Sequence, residues 1–337
     1  MKPIFFIVIP CYKAKGKVGE VVKSILNISV SLESICEIIT LVVNDACPID
    51  SWMEIEDNPK VQIIHQKVNS GVGASTLTGF QVALDQGCNA VIKMDADGQH
   101  STTYLRDIIP YLVRLPNSEL ALIKGSRYLF RIKKEKIPWT RKIGSIFLEP
   151  MARGALSCRG LTDISNGYIA MNRLTCRLLL GTKFGPKLNK RYLFESSLLV
   201  RNNFFDIPIY EFAMNACYGE DWYSSMESKK MILPLLSFWF KAALSRLVDK
   251  YINRLNLGSF LLLVSILSSS ISMNLFLTRI RPEVQAGILV SAGTSSVFTT
   301  SSAISMITIF LFFLYDYNSG KQVKALIFPS FLDELDL

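Results

Sequence analysis

From Leu257 to Tyr315 the chain carries only Arg279, Arg281 and Glu283 as charges, gathered in one short turn between two apolar runs. As a helix, the run Leu257 to Ile280 would be about 36 Å long at about 1.5 Å per residue, enough for a hydrocarbon core of roughly 30 Å. The run Ala286 to Tyr315 is longer but diluted by Ser, Thr and Gly, and is the weaker span. Two buried helices of a soluble domain are the alternative, but uncharged runs above about 18 residues are rare in soluble cores. The expectation is therefore a two-helix membrane anchor. Such a hairpin returns the chain to the side it left. Lys321 and Lys324 after it, with the basic flank before it, place both ends in the cytosol. Arg279 and Arg281 in the outer turn oppose that orientation. Just upstream, Leu233 to Ile252 is amphipathic, with Trp239, Phe240, Lys241, Arg246 and Lys250, and suits a membrane interface. Small residues near Gly287 and Gly293 suit helix contact, and with it a homo-oligomer.

Ahead of the anchor, a chain of 337 residues that is 50% hydrophobic can bury one large domain of about 200 to 250 residues. The net charge of +9 suits anionic lipid headgroups or phosphorylated substrates, and by itself would equally suit nucleic acid. The basic residues do not interleave with exposed aromatics in a recognisable motif, which argues against a nucleic-acid partner. Cys11, Cys36, Cys47, Cys88, Cys158, Cys176 and Cys217 show no CxxC spacing, and their odd number argues against a closed disulfide framework, so a reducing compartment is the simpler reading. The N-terminus runs directly into a short β-branched segment broken by Pro10, which reads as a strand and not as a signal peptide.

That segment, Ile4 to Ile9, is apolar throughout, as a parallel strand buried on both faces should be. Helix-spaced apolar residues follow from Val18 to Leu32, then a strand from Ile38 to Val43 ending in Asn44-Asp45, and a strand from Val61 to His65. Gly71 to Gln86 reads as helix and Ala90 to Met94 as a fourth strand. Helix Leu193 to Asn202 and strand Asp206 to Phe212 come later. Alternating strands and helices predict an open α/β sheet with helices on both faces. Ligands bind such sheets beyond the carboxyl ends of the strands, where Pro10-Cys11-Tyr12, Asn44-Asp45 and Asp95-Ala96-Asp97 converge.

Asp95 and Asp97 leave a buried strand two residues apart, on a turn relaxed by Gly98. Mg²⁺ or Mn²⁺ takes one or two carboxylates plus substrate phosphate oxygens, so this pair suits a cation that neutralises a departing diphosphate. Alone, Asp-x-Asp is a weak signal; its place at a strand end is what raises it. His100 could serve as base or metal ligand, although a hydrogen-bonding role is commoner at such a turn. Gly71-x-Gly73 at a helix start could cradle a phosphate through backbone N–H groups. A dinucleotide fingerprint would need a third glycine at Thr76 and a strand leading straight into it, and both are missing, which excludes a dehydrogenase.

Several motifs in order, IVIPCYKA at 7–14, VVNDACPID at 42–50, NSGVGASTLTGF at 69–80, KMDADGQH at 93–100, KGSRY at 124–128 and DISNGY at 163–168, resemble family-2 glycosyltransferases. The resemblance spans about residues 4 to 225 and is greatest to the branch with dolichol-phosphate mannose synthase and bacterial polyprenyl-phosphate glycosyltransferases. It implies a GT-A (Rossmann-like) nucleotide-sugar domain with an open mixed sheet, in which Pro10, Tyr12 and Asp45 line the nucleoside pocket. It further implies that Asp95 lies near the ribose and diphosphate and that Asp97 and Gln99 hold the metal. Arg127, Arg141 and Ser145 match positions facing the donor diphosphate and acceptor phosphate, where guanidinium groups can grip phosphate oxygens bidentately. Gly73 is carried as a further substrate-binding position.

Departures from the pattern fall at Lys13-Ala14, where Asn-Glu is usual, at Asn44, which replaces the first of two aspartates, and at 217–225, where a basic Arg-x-Gly-x-Ser-Lys loop is usual. They leave the acceptor open. An ionised lipid phosphate needs no general base, whereas a sugar hydroxyl needs a carboxylate to take its proton, for which Asp163 and Glu195 are the candidates. In-line attack inverts the anomeric carbon in either case. The expected organisation is a GT-A catalytic domain at 1–230, an interfacial helix at 231–255, a two-helix anchor at 256–316 and a cytosolic tail at 317–337. The expected activity is metal-dependent hexosyl transfer from a nucleotide diphosphate sugar to a polyprenyl phosphate at the cytosolic face of the cell membrane. Its rivals are transfer to a glycan hydroxyl in envelope or lipid-linked polysaccharide, and a non-catalytic membrane scaffold that retains the fold.

Overall fold

The computed structural model describes residues 2–116, 118–129, 139–215 and 228–333, with the backbone alone at 139–147 and 228–232. It divides into two compact units, one of residues 1–153, 160–237 and 322–337, the other of residues 154–159 and 238–321.

The first unit begins β1 (Ile4–Cys11), α1 (Val18–Leu32), β2 (Glu37–Asn44), β3 (Val61–His65), α2 (Val72–Asp85) and β4 (Ala90–Lys93). It continues through α3 (Leu105–Arg114), β5 (Leu122–Ser126) and α4 (Trp139–Leu156), which reaches into the second unit. After the short β6 (Cys158–Arg159) come β7 (Ile169–Asn172), α5 (Arg173–Gly181), α6 (Phe194–Phe204) and β8 (Ile209–Ala213). Near the end of the chain, beyond the two-residue β9 (Lys321–Gln322), β10 (Lys324–Leu326) and α11 (Pro329–Asp333) complete it. One eight-stranded sheet runs β10-β8-β5-β7-β4-β1-β2-β3, parallel except for β7, which is antiparallel to both β4 and β5. The mixed α/β sheet with helices between strands is the GT-A architecture that the sequence predicts.

Burial explains the strand sequences. β1 is buried from Phe5 to Ile9 and flanked on both sides, so it has no polar face to show. Pro10 was expected to end this strand, yet β1 continues through it to Cys11. The reason is local: β4 pairs with β1 only from Ala90 to Lys93, opposite Phe5 to Val8, so no partner remains where the missing Pro10 N–H would point. Strand order reverses at β1, whose successors lie on one side and β4 on the other. Such a switch opens a crevice at the carboxyl ends of β1 and β4.

The segment 317–337, expected as a cytosolic tail, does something else. β10 pairs with β8 in parallel, Lys324 to Leu326 against Tyr210 to Phe212. Phe328 and Phe331 are buried in the same core as Ile7, Tyr104 and Phe212. A tail with two large apolar residues cannot remain in water when an open sheet edge and a core face are within reach.

The second unit holds the second half of α7 (Ser228–Leu247), its helical continuation to Ile252, α8 (Leu257–Leu275) with its continuation to Ile280, α9 (Arg281–Gln285) and α10 (Ala292–Asn318). Leu257–Gln285 and Ala292–Asn318 are long and apolar enough to cross a membrane, and only 6% and 11% of their most apolar stretches are buried. A soluble core helix would be mostly covered, and the exposure of these two suits an apolar solvent. The second span begins at Ala292 instead of Ala286, because the first helix runs on through α9 to Gln285 and the chain turns after it at Gly287, φ +70°. Between α8 and α10 runs a polar seam in which the hydroxyl of Ser265 donates to the Ser305 carbonyl at 3.3 Å and Ser272 meets Ser302 at 2.6 Å. At the foot of α10, Asp316 accepts from Arg246 at 2.7 and 2.8 Å and from the Tyr251 hydroxyl at 2.6 Å.

Candidate active site

At the end of β4 the chain turns out of the sheet through Met94 into Asp95 and Asp97. Gly98 adopts φ +76°, which lets the chain fold back. The backbone N–H of Gln99 and its side-chain amide both donate to Asp97, at 3.0 and 2.7 Å. Asp95 is held differently. Its backbone N–H donates to His100 Nδ1 at 3.0 Å, so a neutral His100 carries its proton on Nε2, which lies 3.7 Å from Asp95 Oδ2. His100 is buried and stacked on Tyr168 at 5.1 Å; burial lowers its pKa, and the role is orientation of the turn.

Lys93, the last residue of β4, was not picked out by the sequence reading. Its fully buried Nζ lies 2.6 Å from Asp95 Oδ1 and 3.2 Å from Glu195 Oε1, and donates to the Gly167 carbonyl at 3.2 Å. Burial pushes this ammonium toward neutrality, but the two carboxylates outweigh it and hold its pKa above the usual value. Asp95 is correspondingly held down to about 2: burial opposes ionisation, and Lys93 and His100 overcome it. Asp97 moves the other way, raised by burial and by the repulsion of Asp95.

Gly167 explains the Asn166-Gly167-Tyr168 turn. A Cβ there would lie 2.5 Å from Lys93 Nζ and 2.6 Å from Asp95 Oδ2. Only glycine lets this loop close over the carboxylate. The same loop carries Asp163, fully buried, whose carboxylate accepts from Arg127 Nε at 2.7 Å, Nη2 at 2.9 Å and backbone N at 3.1 Å. Despite its burial, Arg127 and Lys124 hold Asp163 far below the ordinary carboxylate pKa. A second buried lysine, Lys124 of β5, donates to the Asp163 and Asn166 carbonyls. Glu211 of β8 accepts from the backbone N–H groups of Thr162 and Asp163 at 2.9 and 3.2 Å. The loop is thus tied from below by two strands.

Of the residues singled out in the sequence, Asp95, Asp97, Gln99, Glu195, Arg127 and Asp163 belong to this assembly. Pro10 and Tyr12 stand at the β1 end, Tyr12 being 42% exposed and so open to a stacking partner. Asp45 accepts from the Ser70 and Gly71 backbone N–H groups at 2.7 and 2.8 Å. Asn44, in the place of an aspartate, uses its amide on His65 and on the Cys47 backbone. The side chains of Arg141 and Ser145, and the whole of 217–225, lie outside the described residues.

Two expectations are corrected by contacts. Gly73 does not face an anion: a Cβ there would lie 2.4 Å from the Asn189 carbonyl and 2.9 Å from Phe194 Cβ, and the Ala74 N–H is taken by the Lys190 carbonyl at 2.9 Å. The glycines at 71 and 73 admit the 189–191 segment. Asp163 is not placed to accept a proton, because it is fully engaged by Arg127. Glu195 is engaged through one oxygen, Oε1, which lies 3.2 Å from Lys93 Nζ.

The donor set fits a small divalent cation. Oxygen donors on one turn suit Mg²⁺ or Mn²⁺, whose remaining ligands are waters and phosphate oxygens. When ionised, Lys93, Asp95, Asp97 and Glu195 leave two negative charges in excess, the charge of one such ion. Asp97 and the carbonyl of Gln99 would hold it.

A carboxylate pair at the switch point of a GT-A sheet, backed by the buried Arg127–Asp163 ion pair, is the site of a glycosyltransferase. The sequence profile of glycosyl transferase family 2 matches residues 6–175, half of the chain, and the protein belongs to that family. Polyprenol monophosphomannose synthase of Mycolicibacterium smegmatis is 29% identical over 174 residues, which is 50% of this chain and 63% of that one. Undecaprenyl-phosphate mannosyltransferase of Micrococcus luteus is 31% identical over 147 residues, 41% and 56% of the two chains. The match spans less than two thirds of either relative's length. The crystal structure of mannosyl-3-phosphoglycerate synthase from Rubrobacter xylanophilus superimposes over 76% of this chain and 77% of that one, with TM-score 0.49 and 12% identity.

Proposed function

We propose that this membrane protein transfers a hexose, with inversion, from a nucleotide diphosphate sugar to a polyprenyl phosphate at the cytosolic face of the cell membrane. The observation that carries the choice of acceptor is the state of the two carboxylates offered as bases. Asp163 has both oxygens on Arg127 and Glu195 has one on Lys93, so both carboxylates are already engaged by cations. A phosphate monoester is already ionised near neutral pH and needs no base. The names of the relatives, which are polyprenol and undecaprenyl-phosphate mannosyltransferases, support the same acceptor.

In this reading, Tyr12 stacks the base of the donor and Asp45 shapes the neighbouring turn. Arg127, held rigid by Asp163, lends its positive charge to the phosphate oxygens. Asp97 and Gln99 hold Mg²⁺ or Mn²⁺, which when bound neutralises the charge developing on the departing diphosphate. Asp95, fixed by Lys93 and His100, orients the ribose and diphosphate, and the acceptor oxygen attacks the anomeric carbon in line. The cytosolic orientation is supported by connectivity: the chain leaves the catalytic unit before its two spans and rejoins the same sheet as β10, so both ends of the hairpin lie on one side. Lys321 and Lys324 at that return favour the cytosol.

The test is sugar transfer from radiolabelled nucleotide sugars into lipid extracts by membranes carrying wild type or Asp97→Ala, with and without chelator. Acid-labile, chelator-sensitive label in wild type alone is the expected result. Acid-stable label would reassign the acceptor to a glycan hydroxyl, and absence of label with every donor would favour a scaffold.

A further inference from the structure

β4 is an interior strand whose other residues, Ala90, Val91 and Ile92, are buried and apolar. A lysine at its end must be matched by anions, since an unpaired ammonium in a core is far more costly than a methionine or valine. The three N–H donors of Lys93 meet three acceptors: Asp95 two residues on, the Gly167 carbonyl, and Glu195 at the start of α6. Segments far apart in sequence are thus joined at one atom. Asp97, by contrast, has its oxygens on the neutral amide groups of Gln99. Neighbouring carboxylates of the same turn therefore stand in unlike surroundings.

We propose that Lys93 is a positioning residue that divides the work of the two carboxylates: it neutralises and fixes Asp95, leaving Asp97 as the carboxylate that takes the cation, and it holds α6 to the site through Glu195. This rests on the cation and diphosphate reading given above. Without Lys93, Asp95 regains an uncompensated charge and competes with Asp97 for the ion. A bare cation then binds more tightly, but in a place that no longer serves the diphosphate. A residue that merely filled the core would not move affinity and turnover in opposite directions.

The experiment uses the full chain in lipid nanodiscs, with Mn²⁺ alone as the probe, followed by electron paramagnetic resonance, and with the melting temperature of the metal-free protein. Lys93→Met is expected to tighten Mn²⁺ binding on the order of tenfold, from one added charge at contact distance, while sugar transfer falls on the order of 100-fold. Lys93→Arg, which keeps the charge and guards against a folding failure, should retain wild-type Mn²⁺ affinity. The double variant Lys93→Met with Glu195→Gln leaves no carboxylate facing an empty partner at α6. It should recover melting temperature without recovering turnover. Unchanged or weaker Mn²⁺ binding in Lys93→Met, or a double variant that regains turnover, would overturn the proposal and leave the function standing. Wild type that binds no Mn²⁺ would overturn the cation reading and this inference together.

Discussion

Gly167 shows how one missing Cβ decides the geometry of the site. The atoms a methyl group would meet are the ends of the Lys93 and Asp95 side chains, not backbone, so the fold can yield where the chemistry cannot. Gly167→Ala should lower turnover on the order of 100-fold while lowering the melting temperature by no more than about 2–4 °C. Steady-state kinetics beside a thermal melt in detergent would show the split; a large loss of stability with proportionate loss of activity would assign Gly167 to the fold alone. The aspartates of KMDADGQH could be read directly, because a carboxylate pair at a strand end is a local pattern. The partners of Asp163 and Glu195 could not, since Arg127 and Lys93 lie far from them in sequence and meet them only once β4, β5 and the 162–168 loop are assembled. The lysine within the motif was itself a signal: a charged residue in an apolar strand requires a buried anion.

At the level of single elements, α4 carries Glu149 with its pKa raised to about 7, by burial first and then by the repulsion of Asp163, with Arg153 opposing from one turn on. A carboxyl whose pKa is higher folded than unfolded favours the folded state while it is protonated. Its contribution is therefore present below about pH 4.5 and lost as pH rises to about 7. Glu149→Gln should stabilise the protein by about 1–3 kcal/mol at pH 8 and by much less at pH 5. Unfolding curves at the two pH values test this, and equal effects at both would remove the titration from the account. Helices α1 and α2 and strands β2 and β3 were legible from periodicity to within a residue or so. Pro110 interrupts the pattern of α3, and β5 and β7 are too short to stand out from their surroundings. The 317–337 segment escaped for another reason: an edge strand of three residues has no signature of its own, and its parallel partner lies more than a hundred residues earlier.

On the scale of the whole chain, β10 closes one edge of the sheet and the two phenylalanines behind it join the main core. Phe328 packs on Phe212 with ring centroids 5.4 Å apart, and Phe212 on Tyr168 at 5.3 Å. Phe328→Ala should cost about 3–5 kcal/mol, and ending the chain after Lys321 should cost more, both read as loss of the thermal transition of the catalytic unit in detergent. A truncated chain that melts like wild type would show β10 to be dispensable.

That return strand also sets an order of events during synthesis. The edge of β8 stays unpaired, and the apolar face awaiting Phe328 and Phe331 stays open, until both spans have been made and the chain has come back. Until then the nascent domain exposes an unpaired strand edge beside an uncovered apolar face, the two features that most favour aggregation. Completion of the catalytic sheet therefore waits on the last residues made, so a chain that stops within or just after its spans should yield an unfinished domain.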